Sequence, residues 1–196
     1  MTCSMKPLAC DPARLSGLSE KLIVSHYENN YDGAVKRLNA ITDQLAAIDV
    51  VSVPVFVLNG LKREELIAAN SMILHEAYFE SLGTSDPVEG ALGAALMRDF
   101  GSVERWRAEF GAMGKALGGG SGWVLLTYSA RLGRLVNQWA SDHAHTLAGG
   151  MPILALDMYE HSYHMDFGAK AAACVDAFMQ NIDWTRAVTR FEALGI

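Results

Sequence analysis

The chain has 196 residues, of which 51% are hydrophobic and 19% are charged. These values are typical of a globular protein and exclude a chain that is disordered throughout. The formal net charge of −6 speaks against the basic face of a nucleic-acid-binding protein, and no run approaches the roughly 20 apolar residues of a membrane span.

Residues 1–19 contain a lysine but no hydrophobic run, so they do not resemble a secretory signal. We therefore expect a cytoplasmic protein. Cys3, Cys10 and Cys174 form no Cys-x-x-Cys pair and are odd in number. Neither a disulfide framework nor a thiolate metal site is expected, and each cysteine is interpreted as a small hydrophobic residue.

The first half of the chain is predicted to be helical. From Ser19, a candidate N-cap, apolar residues recur at spacings near three and four up to about Ile48. Pro54 argues against a regular helix over residues 50–59, because proline inside a helix removes a backbone hydrogen bond.

A second helix is predicted over Lys62–Leu82, where apolar residues again follow helical spacing. Turn-forming residues at 83–87 end this helix. The best domain boundary is therefore at about residue 85. It divides the chain into an N-terminal helical domain, residues 1–85, and a C-terminal domain, residues 86–196.

The second half mixes short helices with short apolar runs of β character. The predicted helices are Val88–Phe100, Ser102–Leu117, Ala169–Met179 and Thr185–Leu194. The predicted strands are Trp123–Tyr128, Leu135–Trp139 and Pro152–Leu156. This order predicts an α+β fold with a small, mostly antiparallel sheet.

Asp157 directly follows the apolar run Pro152–Leu156, and a carboxylate there requires a partner because an unpaired buried charge is costly. His161 lies four residues later, so a turn after the strand would bring both side chains together. Imidazole with carboxylate suits iron, manganese or zinc better than calcium or magnesium. His26 and His75 lie on the two predicted helices, where a histidine is more often an ordinary core residue. From the residues alone, a metal site and ordinary core histidines both remain open.

Six segments, in order along nearly the whole chain, carry a more specific signal. They are SHYENNYDGAVKRLN at 25–39, LHEAYFESL at 74–82, FGSVERWRAEF at 100–110, GGGSGWVLL at 118–126, DMYEHSYHMDF at 157–167 and AFMQNIDWTRAVTRFE at 177–192. The fifth resembles the signature DxWEHAYY of the iron/manganese superoxide dismutase family, and the second resembles that family's NHxxYWxxL stretch. The chain is therefore identified by resemblance as a member of this family.

The resemblance implies a superoxide dismutase with one iron or manganese ion per chain, which superoxide alternately reduces and oxidises to give oxygen and hydrogen peroxide. The implied metal ligands are His26, His75, Asp157 and His161. The implied fold is an N-terminal antiparallel helical hairpin and a C-terminal domain with helices and a three-stranded, mostly antiparallel sheet. Each half supplies two ligands.

Family members place a glutamine or histidine beside the solvent molecule on the metal. The helix position for this residue carries Ser71, which is too short, so the resemblance points to His143 on the sheet side, with His145 as a close alternative. A histidine there weakly favours iron over manganese. Trp123 matches a retained tryptophan and is expected beside the pocket, so His143 and Trp123 are the candidate catalytic residues. A surface-loop histidine remains the alternative for His143.

Other positions around the expected pocket depart from the family pattern. They are Asn30, Ala34, Ile73, Tyr159 and His164. Ala34 stands where the family has a gateway tyrosine, and Tyr31 is not expected to replace it because it does not occupy the same helical face. These departures leave open a second function, that of a metal-binding homologue with weak dismutase activity and a redox or metal-handling role.

Glu160 and His161 bear on the oligomeric state. In the family, the glutamate of this pair reaches the ligand histidine of the partner subunit, so the resemblance implies a homodimer with both residues at the interface. The alternative is a solvated Glu160. Superoxide is the expected substrate, and neither nucleic acid nor a membrane is expected as a partner.

Overall fold

The computed structural model describes residues 2–83 and 87–196, so the predicted boundary at about residue 85 lies outside the described residues. Its α-helices are α1 Glu20–Ser25, α2 Asp32–Ala47, α3 Val55–Glu80, α4 Gly90–Phe100, α5 Val103–Ala116, α6 His164–Phe167, α7 Ala171–Gln180 and α8 Trp184–Glu192. Its strands are β1 Trp123–Ser129, β2 Arg134–Ala140 and β3 Gly150–Asp157. A π-helical segment covers His26–Tyr31, and 3₁₀ turns cover Pro12–Arg14 and Glu160–Ser162. The predicted α+β fold is confirmed.

The N-terminal half is a pair of helical rods, and the first rod runs without a break from α1 through the π-helical segment into α2. Ser19 caps this rod as predicted, because its hydroxyl accepts a hydrogen bond from the first turn. The second rod, α3, begins at Val55 rather than at Lys62. Pro54 occupies the N-cap position, where a backbone N–H would make no hydrogen bond within the helix, so the lack of one costs nothing. The expectation that this proline excludes a helix over residues 50–59 is therefore wrong for the second half of that range.

The sheet has the strand order β2-β1-β3, and both pairings are antiparallel. The central strand β1 is almost wholly buried. Its first residue, Trp123, lies opposite Asp157 of β3 and Ala140 of β2. Antiparallel pairing therefore brings the start of β1, the end of β3 and the loop after β2 to the same end of the sheet.

Both halves of the chain contribute to one apolar core. Leu74 and Tyr78 of α3 belong to the same buried cluster as Leu156 of β3 and Phe178 of α7. The division into two domains stays a prediction. Within the described residues, no helix combines the length and the apolar character needed to cross a membrane.

Candidate metal centre

Asp157 ends β3 and is fully buried, so its carboxylate requires partners inside the protein. Its Oδ1 accepts a hydrogen bond from the backbone N–H of Tyr159 at 2.8 Å. Its Oδ2 lies 3.2 Å from Nε2 of His26, 3.2 Å from Nε2 of His161 and 3.6 Å from Nε2 of His75. Three histidines from separate parts of the chain therefore converge on one carboxylate oxygen.

Three different elements carry these histidines. His26 opens the π-helical segment, His75 lies in α3, and His161 lies in the 3₁₀ turn that follows β3. The turn after β3 brings Asp157 and His161 together, as their spacing of four residues predicted. Nδ1 of His75 donates to the backbone carbonyl of Ser71 at 2.7 Å, which leaves Nε2 as the nitrogen with a free lone pair.

The cluster fits a metal ion. One donor atom from each of His26, His75, Asp157 and His161 lies within 4.8 Å of the others. Such spacing is expected when each atom lies about 2 Å from a shared ion. Nε2 of His26 and Nε2 of His75 are buried without a hydrogen-bond partner, which is costly unless a cation binds there. Three imidazole nitrogens with one carboxylate oxygen suit iron or manganese.

The ionisation states of these residues also favour a cation. Burial lowers the pKa of His26, and it lowers the pKa of His75 to about 3, so both rings are neutral near physiological pH. Burial disfavours the charged form of Asp157, but the close contacts of its carboxylate with the rings of His161 and His26 outweigh it and hold the pKa of this carboxyl below its usual value. Beside these two neutral rings, the Asp157 carboxylate carries a negative charge that a bound cation would neutralise.

A group of aromatic side chains lies on the sheet side of the cluster. The indole N–H of Trp123 donates to Nδ1 of His143 at 3.0 Å. The Tyr159 ring stacks on His143, with ring centres 4.8 Å and planes 11° apart, and on His161 with ring centres 5.5 Å apart. The centre of the His143 ring lies 6.1 Å from that of His75. Because an indole N–H can only donate, Nδ1 of His143 accepts, and the proton of the neutral ring is on Nε2.

The two candidate loop histidines differ in their surroundings. Burial lowers the pKa of His143, and the charge of Asp157 opposes this only in part. His145 is exposed, and its Nδ1 lies 2.8 Å from Oδ1 of Asp142. The structure therefore brings His143 towards the ligand cluster and leaves His145 at the surface.

Three positions on the helical hairpin differ from the family pattern. The hydroxyl of Ser71 is buried and lies 3.4 Å from Nδ1 of His75. Ala34 is buried as well. Ile73, at the position where the family pattern has a pocket-lining tryptophan, is 47% exposed. None of these three side chains offers a long polar group to the cluster.

The π-helical segment changes the position of Tyr31. An α-helical spacing predicted that Tyr31 lies off the pocket face, but a π-helix bonds residue i to residue i+5 and so aligns Tyr31 with His26. The Tyr31 ring lies 6.3 Å from the His75 ring at an angle of 21°. Its hydroxyl donates to Glu76 at 3.1 Å and accepts from the backbone N–H of Lys6 at 2.9 Å. The ring therefore lies beside a candidate ligand while the hydroxyl is engaged elsewhere, and nothing in the segment HYENNY marks the wider turn.

Comparison with known proteins gives one family and several similar chains. Residues 88–190 match the model of the iron/manganese superoxide dismutases, C-terminal domain. A protein of Cupriavidus metallidurans named as an iron superoxide dismutase is 78% identical over 193 residues, which is 98% of each chain. A manganese superoxide dismutase of Halobacterium salinarum is 34% identical over 178 residues, 89% of this chain and 87% of that one. An iron superoxide dismutase of Aquifex pyrophilus is 33% identical over 190 residues, 92% of this chain and 87% of that one.

Proposed function

The chain belongs to the iron/manganese superoxide dismutase family, and from this premise we propose that His26, His75, Asp157 and His161 bind its catalytic metal. As a member of that family it is an oxidoreductase that converts superoxide to oxygen and hydrogen peroxide at an iron or manganese ion. The observation that carries the ligand assignment is the convergence of four donor atoms within 4.8 Å around a buried carboxylate.

The bound ion supplies one-electron oxidation and reduction, while the residues around it hold the ion and control proton positions. We propose that the Nε2–H of His143 would donate a hydrogen bond to a small molecule bound beside these four residues. Trp123 supports this role because its bond to Nδ1 fixes which nitrogen keeps the proton. Burial, with the charge of Asp157, raises the pKa of Tyr159 to about 12, so its phenol stays protonated beside His143.

Iron is the metal that we propose for this chain. The ligand set suits iron and manganese equally, so the argument rests on the relative that is 78% identical and named as an iron enzyme. The presence of His143 on the sheet side, in place of a glutamine on the helix, also weakly favours iron. Metal analysis of protein purified from cells that are supplied with both metals tests this assignment, and an excess of bound manganese would contradict it.

A homodimer with Glu160 and His161 at the interface is the proposed assembly. The His161 side chain is 26% exposed in the single chain, whereas those of His26 and His75 are 0% and 2% exposed. Glu160 beside it is also exposed. A second copy of the chain over this edge would bury the last ligand and bring a carboxylate to its imidazole, which is a common support for metal-binding histidines. Sedimentation of the wild type should give a dimer, and Glu160→Ala should shift it towards monomer.

A cytoplasmic location is also proposed, because Cys3, Cys10 and Cys174 are free thiols and a reducing compartment preserves such thiols. Cell fractionation tests this. Recovery of the native protein outside the cytoplasm would contradict it.

The rate of superoxide decay, measured with protein of known iron and manganese content, tests the function most directly. We expect fast decay that scales with the content of one metal. A fully metal-loaded protein with negligible decay would instead support the weakly active, metal-handling homologue that Ala34 and Ile73 suggest.

A further inference from the structure

The loop over residues 141–149 carries His143 and has little packing of its own. Residues 144–149 are all exposed, so this part of the loop gains little stability from apolar contacts. Its position therefore depends on a few hydrogen bonds, some of them within the loop, such as the one from the backbone N–H of Ala144 to the Asp142 carboxylate, and some from neighbouring elements. Any element that fixes the backbone at His143 also fixes where the imidazole stands.

One such bond comes from the helical hairpin. The side-chain amide of Asn70 in α3 donates to the backbone carbonyl of His143 at 2.6 Å. Asn70 is half-buried, and 73 residues separate the two partners along the chain. The bond therefore ties the helix that carries His75 directly to the loop that carries His143.

Three elements together restrain His143. Asn70 of α3 holds its backbone, Trp123 of β1 bonds Nδ1 of its ring at 3.0 Å, and Tyr159 stacks on the ring at 4.8 Å. The stack fixes the plane of the ring, and the indole bond fixes its rotation within that plane. Neither contact acts on the loop backbone, which the bond from Asn70 ties to α3.

We propose that Asn70 is a positioning residue for His143. Its bond holds the backbone carbonyl of His143 at a fixed distance from α3, so that the imidazole of His143 contacts Trp123 and Tyr159. This inference rests on the role proposed for His143. It also relates Asn70 to its neighbour Ser71, whose side chain is too short to reach into the pocket. In this chain α3 would therefore influence the reaction through Asn70, which directly precedes Ser71 and bonds to the loop backbone.

The chain offers a matched control at the same loop. The side-chain amide of Gln138 in β2 donates to the backbone carbonyl of His145 at 3.2 Å. This is the same kind of bond, from an amide to a loop carbonyl, but it holds the residue that faces solvent. Gln138→Ala should loosen the loop without changing the position of His143.

The experiment uses the iron-loaded protein and measures superoxide turnover together with the affinity of the ferric form for azide, a small monoanion like superoxide. The variants are His143→Ala, Asn70→Ala, the double variant and Gln138→Ala. We expect His143→Ala and Asn70→Ala each to change turnover and azide affinity by roughly 10- to 100-fold, the range found for residues that support metal sites. The double variant should match His143→Ala alone, since Asn70 acts through His143.

Two results would overturn the inference while leaving the role of His143 in place. One is wild-type behaviour of Asn70→Ala beside a strong effect of His143→Ala, and the other is an Asn70→Ala effect that persists in full in the double variant. Wild-type behaviour of His143→Ala would remove the proposed role and the inference together. If Asn70→Ala does not fold, Asn70→Asp keeps the shape of the side chain, loses the donor and is expected to give the same pattern.

Discussion

The hairpin side and the sheet side of the metal pocket each carry two of the four proposed ligands, but they surround those ligands differently. On the sheet side, Trp123 bonds to His143, and Tyr159 stacks on the same ring. On the hairpin side, Ser71 and Ala34 are buried but offer no long polar group. The sheet side is therefore a hydrogen-bonded assembly of rings, whereas on the hairpin side the rings of Tyr78 and Phe79 pack on His26 with ring centres 5.0 Å away.

This difference suggests that binding the metal and tuning it are separable in this chain. The proposed ligands of both halves should be needed to hold an ion, because their four donor atoms lie within 4.8 Å of one another. Residues next to the ligands should affect turnover mainly on the sheet side, where polar atoms face the site. Loss of a proposed ligand should therefore have the largest effect, and changes of hairpin side chains that do not bond to the His143 loop the smallest.

The largest effect is expected from His75→Ala. The substitution removes one of four donors and leaves the Asp157 carboxylate buried with one partner fewer, so stoichiometric metal should be lost and superoxide decay should fall to background. Metal analysis of the purified variant measures this. His145→Ala is the control, because that ring is exposed and pairs with Asp142, and it should keep its metal. Retention of one ion per chain by the His75 variant would show that the ligand assignment is wrong.

The next effect separates the two sides of the pocket. His143→Ala should keep the metal but lower turnover by roughly 10- to 100-fold, as is usual for residues that support a metal site. Ser71→Ala on the hairpin side should change little, because the bond from His75 goes to the Ser71 backbone carbonyl and survives the substitution. Both variants are compared by stopped-flow decay of superoxide at equal metal content. Equal slowing of the two variants would contradict the separation of binding from tuning.

The fold could be predicted from the sequence wherever the signal is local. Ser19 caps its helix as expected, and Ser102 caps α5 in the same way, because a hydroxyl before a helical pattern satisfies free N–H groups wherever the helix lies in the protein. The start of α3 after Pro54 could not be predicted in this way. A proline disfavours the interior of a helix but suits its beginning, and only the tertiary structure decides which position it takes.

The residues of the site likewise include some that the sequence could predict and some that it could not. Resemblance brought out His26, His75, Asp157 and His161 as a set, and the structure places them together. Residue spacing places Tyr31 on the wrong face of the helix, because a π-helical turn depends on packing and leaves no mark in the spacing. The bond from Asn70 to the loop spans 73 residues, so no local pattern could indicate it.

A smaller effect, on stability, is expected from Ala34→Tyr, which restores the family's tyrosine on the hairpin side. Ala34 is only 7% exposed, so a phenol there should displace neighbouring side chains and cost about 1–3 kcal/mol of unfolding free energy. For a chain of this size, each kcal/mol lowers the melting temperature by about 2–4 °C. Turnover should not rise. Ala34→Ser, a small polar replacement, controls for polarity, and a large gain in turnover for the tyrosine variant would instead show that a missing hydroxyl limits the reaction.

The smallest effect is expected from Tyr31→Phe. The variant loses the hydrogen bonds of the hydroxyl to Glu76 and Lys6, worth about 0.5–1.5 kcal/mol, but keeps the ring beside His75. Thermal unfolding should therefore show a small loss of stability, with metal content and turnover unchanged. Tyr27→Phe is the matched control, since its hydroxyl donates to the carbonyl of the same Lys6. A marked fall in turnover for the Tyr31 variant alone, at full metal content, would mean that its hydroxyl serves the reaction and that the hairpin side does more than hold the metal.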